Sequence, residues 1–224
     1  MSDNDFDYGM SEYLGDLEKL TPELANSWTE YRDEVFKEGL ISAKDKQLIA
    51  LSCAHITGCK DCRKAITKQA MSLGATKEEI SEAIFIATRL AMGQPYAFSS
   101  IAFENYDLMK NKGDVTKGYF MSKNITPQIK DFHEVSGEKF KKFSVFNNIV
   151  YEDGHLSKKL KKGLMGLATA ILAKCPWCIR SCVRDGIQEG VTKEEIAEVV
   201  NIAIVMNSSP CICHSGTTLE AAGK

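Results

Sequence analysis

The sequence predicts an all-α protein built from two tandem units. Three observations predict it. First, GCKDCRKAITKQAMSLGATKEEISEAIFIA (58–87) and KCPWCIRSCVRDGIQEGVTKEEIAEVVNIA (174–203) match in register. Cys59 and Cys175, Cys62 and Cys178, Gly74 and Gly190, and Thr76 and Thr192 are each 116 apart, and the pentamer TKEEI occurs in both. A glycine, a pentamer and a C-x-x-C recurring at one offset mark the duplication of a unit of roughly 95 residues. Second, apolar residues recur at helical spacing; Leu160, Leu164, Leu167, Ala168, Ile171 and Leu172 form one stripe. Third, no stretch alternates at period two, the mark of a half-buried strand.

The elements follow in order. Residues 1–20 read as an N-terminal arm, 21–112 as the first unit, 113–125 as a linker, and 126–222 as the second unit. TPELANSWTEYRDEVFKEG predicts a helix with Thr21 as N-cap, Pro22 at the first helical position and a stop at Gly39. TPQIKDFHEVSGEKFKKF reads as its counterpart, opening at Thr126 and Pro127. AKDKQLIALSCAHI and SKKLKKGLMGLATAIL are the next helices. The C-x-x-C then opens another, with Gly74 and Gly190 at its C-terminal turn. Thr76 with Glu79, and Thr192 with Glu195, form capping boxes for the following helix. A last helix follows MGQPYAFSS or NSSPCICHS, the second carrying Pro210 near its start.

With 224 residues, 44% of them hydrophobic, the chain can bury a substantial core. A formal net charge of −2 argues against a nucleic-acid or anionic-membrane binder. The lysines of SKKLKKG (157–163) and EKFKKF (138–143) read as solvated helix faces. No apolar run reaches the ~18 residues of a membrane span. The acidic start, MSDNDFDYGMSEYLGD, lacks the apolar centre of a signal peptide, so a cytoplasmic location is expected. Eight cysteines there read as reactive or metal-binding rather than as structural disulfides.

A C-x-x-C at a helix start has a physical logic. Free backbone N–H groups and the helix dipole favour a thiolate, and the second cysteine, one turn on, can close a disulfide. The alternative is that small thiols fill a helix interface. AKCPWCIRSC places Cys175, Cys178 and Cys182 along one helical stripe. SPCICHS (209–215) adds Cys211, Cys213 and His214, whereas the first unit has GQPYAFS there, without a thiol. Two readings fit the second unit. One is a relay passing a disulfide from Cys175–Cys178 through Cys182 toward Cys211 or Cys213. The other is a metal site built from Cys175, Cys178, Cys211, Cys213 and His214, with an iron–sulfur cluster as a further option. His55, one turn before Cys59, is a candidate base for the first pair. Cys53 is expected to pack. Glu82 and Glu198, at equivalent places, are read as surface residues or as carboxylates reaching toward the C-x-x-C.

QLIALSCAHITGCKDC followed by GATKEEISEAIFIA resembles the carboxymuconolactone decarboxylase superfamily, whose redox branch is the alkylhydroperoxidase D-like proteins. The resemblance spans 42–105 and 157–222. It implies an alkylhydroperoxidase D-like helical bundle that assembles as a homo-oligomer, with a trimer suiting a tandem chain. It also implies Cys62 and Cys178 as attacking thiols and Cys59 and Cys175 as resolving ones. Helix-dipole reasoning instead favours the first cysteine of each pair. The branch's glutamate aligns with Gln47 and Gly163, and its histidine with Ile66 and Cys182, so the usual proton relay is missing from both units. The expected function is a C-x-x-C thiol–disulfide oxidoreductase. It would reduce disulfides in preference to peroxides, with a thiol electron donor, no cofactor, and Cys182 able to exchange with Cys178. Two alternatives are a metal- or metalloid-binding protein using the second-unit cysteines, and a decarboxylase acting on a lactone acid.

Overall fold

The structure, a computed structural model, describes residues 11–110 and 125–223. Every regular element among them is helical. The first unit contains α1 (Ser11–Leu20), α2 (Pro22–Phe36), α3 (Ala43–Thr57), α4 (Lys60–Ser72) and α5 (Lys77–Lys110). The second contains α6 (Thr126–Ser136), α7 (Glu138–Val150) and a π-helical stretch (Lys159–Met165) continuing as α8 (Gly166–Leu172). It ends with α9 (Pro176–Gln188), α10 (Lys193–Cys213) and α11 (Ser215–Ala221). Apart from Ile125, the anticipated linker lies outside the described residues.

The punctuation follows the sequence at several points. Gly74 and Gly190 take φ of +87° and +77°, the left-handed turn that lets α4 and α9 stop and reverse. The Thr76 hydroxyl accepts the Glu79 N–H at 3.2 Å, and the Glu79 carboxylate accepts the Thr76 N–H at 2.8 Å. Thr192 and Glu195 repeat this box at the same distances.

Elsewhere the chain departs from the reading. Residues 11–20 form α1, which packs on α2, α10 and α11 and buries Leu14. Thr21 does not cap α2 with its side chain; its hydroxyl donates to Leu17 O at 3.1 Å, at the end of α1. TPQIKDFHEVSGEKFKKF is two helices, broken at Gly137, whose φ of +53° suits glycine. So α1 and α2 answer to α6 and α7, and the Thr-Pro pairs at 21 and 126 are not equivalent. α5 runs through Pro95, so no new helix begins there; α10 runs through Pro210 to Cys213, and the expected last helix, α11, starts only at Ser215. A mid-helix proline forfeits one backbone hydrogen bond. Here the continuing turns bury Ala97 and Cys213.

Each long helix packs on the opposite unit. α10 lies on α2, α3 and α4, while α5 lies on α7, α8 and α9. The Trp28 indole N–H donates to Ser208 at 3.3 Å, and the Tyr31 hydroxyl to Asn201 Oδ1 at 2.7 Å. At the centre α3 packs on α8, where the buried hydroxyls of Ser52 and Thr169 are 2.9 Å apart. Leu48, Ile49, Leu51, Ile86, Leu90, Met165, Leu167, Ile202 and Met206 make one core across both units. Each such side chain contributes about 1.5–3 kcal/mol by leaving water. Residues 193–221, spanning α10 and α11, are long and apolar enough by composition to cross a membrane. Val199, Ile202, Ala203, Val205 and Met206 are nonetheless buried in the bundle, as in a core helix.

Glu198 and Glu82 tie the exchange. Glu198 accepts the N–H groups of Leu40 and Ile41 at 2.9 and 3.2 Å and pairs with Lys46 at 3.1 Å. Glu82 accepts those of His155 and Leu156 at 2.8 and 2.9 Å and pairs with Lys161 at 3.0 Å. Neither reaches a C-x-x-C and neither is a free surface residue; both expectations are corrected. Lys161 is itself buried, so the SKKLKKG run is not one solvated face. Lys46 and Lys161 are 115 apart, one less than the cysteine offset. The extra residue falls between them and the C-x-x-C, and the π-helical stretch absorbs it.

Candidate functional site: two cysteine pairs in unequal surroundings

Both C-x-x-C motifs sit where a loop enters a helix. Cys59 is the N-cap of α4 and Cys175 the N-cap of α9. The sulfur of Cys59 accepts the Cys62 N–H at 3.2 Å, and that of Cys175 accepts the Cys178 N–H at 3.3 Å. Each pair is joined as a disulfide, with Cα atoms 5.3 Å apart. The backbone thus stabilises negative charge on the first sulfur of each pair. Access favours the second. Cys59 and Cys175 are both 0% exposed and Cys62 is 2% exposed, whereas Cys178 is only partly buried.

Cys178 opens on a cavity of about 540 Å³, lined by Arg89, Gly93, Tyr96, Tyr151, Lys162 and Trp177 among others. Cys62 borders a cavity of only about 30 Å³, beside Gln47, Ile66, Val205, Met206 and Ser209. A carbon built on Gly93 would lie 2.8 Å from Arg89 Nη1 and 3.2 Å from Cys178 Sγ. Guanidinium and sulfur are therefore no more than about 6 Å apart, within the range where a cation favours a thiolate. Arg89 bonds Asn147 and stacks its charge over Tyr151 and Phe143, and Lys162 also lies over Tyr151. Burial raises the Tyr151 phenol above its usual range.

The structure places the remaining cysteines differently from the sequence reading. Cys213 lies with the first pair: its sulfur is 3.5 Å from that of Cys62. Among the described residues, the metal-competent cluster is Cys59, Cys62 and Cys213, with ligand atoms all within 4.8 Å and all three buried. The expected second-unit set of Cys175, Cys178, Cys211, Cys213 and His214 is not gathered; Cys211 is exposed. The relay from Cys175–Cys178 toward Cys211 or Cys213 is corrected for the same reason. The physical cause is the helix exchange, which carries the end of α10 onto α4. Burial, helped by the charge of Asp61, pushes the Cys213 thiol up to about 11.

Cys182 stays with the second pair and lines the same cavity as Cys178. Burial pushes its thiol up to about 12, so at neutral pH it is protonated. Cys53 is fully buried and is also pushed up to about 12 by burial. His55 is half-buried at the end of α3; burial and the charge of Arg63 lower its pKa, and no hydrogen bond joins it to the cysteines. The position aligned with the branch's glutamate holds buried Gln47 beside Cys62. In the second unit the side chain facing the cysteine cavity there is that of Lys162, not Gly163. Trp177 meets Phe98 edge-on at 5.4 Å. Arg89, Gly93, Tyr151 and Lys162 were not singled out from the sequence.

An all-helical tandem bundle with a disulfide inside a C-x-x-C at a helix N-terminus has the form of a redox-active helical protein of the alkylhydroperoxidase D-like kind. The chain belongs to the Carboxymuconolactone decarboxylase family, which it matches over residues 22–98 and again over 140–212. It is 33% identical over 97 residues to "uncharacterized protein 4 in cox locus" of Paracoccus denitrificans, covering 43% of this chain and 87% of that protein. It is 39% identical over 59 residues to the alkyl hydroperoxide reductase AhpD of Corynebacterium kroppenstedtii, covering 26% of this chain and 34% of that one. A crystal structure from Burkholderia xenovorans LB400, described provisionally as a gamma-carboxymuconolactone decarboxylase subunit, superposes with a TM-score of 0.73. It covers 97% of this chain and 94% of its own at 17% identity, a likeness of fold alone.

Proposed function

We propose that the chain is a C-x-x-C thiol–disulfide oxidoreductase working through Cys178 and Cys175. The supporting observation is the contrast in access: Cys178 faces a cavity that admits a small molecule, while Cys62 faces almost none. Reduced Cys178, as thiolate beside Arg89, attacks one sulfur of a substrate disulfide. The substrate S–S bond breaks and its far sulfur leaves as a thiolate, which takes a proton from water. Cys175 then attacks Cys178 Sγ, closes the disulfide and releases the second substrate thiol. A dithiol donor restores the pair by attacking Cys178, and the departing Cys175 thiolate is held by the Cys178 N–H. Among the described residues no histidine lines this cavity to protonate a leaving hydroxide, so disulfides suit the site better than peroxides. A homo-oligomer, taken as a trimer, belongs to the same proposal; exposed Phe85 and Ile204 on the long helices give it apolar contact area.

The test is the rate at which a small aromatic disulfide is reduced with a dithiol donor. Cys178→Ser abolishes turnover and Cys62→Ser leaves it. A Cys178→Ser protein as fast as its parent overturns the reading.

A further inference from the structure

We propose that Cys59, Cys62 and Cys213, once the Cys59–Cys62 disulfide is reduced, form a trithiolate site for trivalent arsenic, taken up as arsenite. The site is separate from the Cys178 cavity and completed across the two units: α4 and its N-cap supply two sulfurs and α10 the third. The sulfurs already lie within 4.8 Å of one another, with 3.5 Å between Cys62 and Cys213. Among the described residues the second pair has no such site, and the place equivalent to Cys213 is held by Ala97.

Charge selects the occupant. The three sulfurs are buried. The small cavity beside Cys62 is lined by Ala65, Ile66, Val205 and Met206 and by Arg32 and Asp33, whose charges pair with each other. Among the described residues no histidine or carboxylate joins the sulfur cluster itself. Taking a net charge into such a place is costly. Three thiolates around copper(I) carry −2. Around zinc(II) they carry −1 and still lack the fourth ligand of a tetrahedral site. Around trivalent arsenic they are neutral and need no fourth ligand. The exchange balances without electron transfer: arsenite, As(OH)₃, and three thiols give the trithiolate and three waters, each thiol proton leaving on a hydroxide. A two-electron reductant, a dithiol or a phosphine, must first open Cys59–Cys62, so disulfide and metalloid exclude each other.

The experiment uses the full chain carrying Cys175→Ser and Cys178→Ser, which removes the other dithiol. It is reduced with a phosphine, desalted without oxygen and titrated with sodium arsenite. Native mass and free-thiol count are read together. The expected result is one arsenic per chain with three thiols masked, and none in unreduced protein. Cys213→Ala places there the residue that the second site already has, so the fold accommodates it. It is expected to bind at least about tenfold more weakly. Equal binding by Cys213→Ala, no arsenic in the reduced chain, or zinc(II) masking the same three thiols as tightly overturns the proposal. None of these outcomes bears on disulfide turnover at Cys178.

Discussion

The sulfur of Cys213, in the second unit, lies 3.5 Å from that of Cys62, in the first. Each unit thus lends its last long helix to the other's cysteine pair: α10 lies over α4, and α5 over α9. A single unit would leave the faces of Leu48, Ile49 and Leu51 uncovered, which a chain of about 100 residues cannot tolerate. Residues 1–112 expressed alone should be unfolded or should self-associate by swapping α5. Mixing them with 113–224 should restore a cooperative melt. A monomeric, cooperatively folded 1–112 fragment in circular dichroism and light scattering would contradict this.

The carboxylates that lock the exchange make it acid-sensitive. Burial raises Glu82, but the N–H groups of Leu156 and His155 and the charge of Lys161 outweigh it, leaving its pKa lowered from 4.5. Glu198 is lowered in the same way by Leu40, Ile41 and Lys46 against burial. A group whose folded pKa is depressed adds stability above its unfolded value and loses it as pH falls through the folded one. The two clamps therefore stabilise fully above about pH 4.5 and release below it. Glu82→Gln or Glu198→Gln strands a buried lysine and should cost ~2–4 kcal/mol at pH 7. Each should also flatten the acid limb of stability measured by urea unfolding at a series of pH values.

What the sequence disclosed was local. The capping boxes, the turn glycines and the two C-x-x-C helix starts are each set by residues within a few positions, and they stand where expected. The helix exchange is set by packing between residues over a hundred positions apart, and no periodicity reports it. For that reason the sequence groups Cys213 and His214 with their own unit's cysteines and carries no sign that Arg89 and Gly93, four apart on one face of α5, belong to the second pair. The relation of Glu82 to Lys161 was hidden in the same way, although the repeat had paired Glu82 with Glu198.

The π-helical stretch can be tested through Gly163, which the sequence aligns with the redox branch's glutamate but which the structure turns away from the cysteine cavity in favour of Lys162. A side-chain carbon there would lie 2.6 Å from Val191 Cγ2 and 2.9 Å from Gly186 Cα, and the latter is backbone. No side chain fits there, in keeping with Lys162 rather than Gly163 being the residue that faces the cysteine cavity. Gly163→Ala should destabilise by about 1–3 kcal/mol through overpacking. Gly15→Ala, in α1 with nothing within 4 Å, should stabilise by up to ~1 kcal/mol. Equilibrium denaturation of the two variants side by side distinguishes a packing effect from helix propensity.

Arg89 offers the sharpest test of the chemistry at Cys178. Among the described residues it meets no carboxylate; its partners are Asn147 and two aromatic faces, so its charge is available to the sulfur. Removing it makes the attacking thiolate less favourable, and a reaction that needs the thiolate must then wait for a higher pH. Arg89→Gln should move the rise of the disulfide-reduction rate to higher pH, with about a tenfold loss at pH 7 that shrinks in alkaline solution. Arg89→Lys, which keeps the charge, should recover much of it. Gly93→Ala should act through the same pair, since its methyl would press on both the guanidinium and the sulfur. A profile of rate against pH that is lowered uniformly by Arg89→Gln, with no displacement along the pH axis, would assign Arg89 to packing around Tyr151 instead.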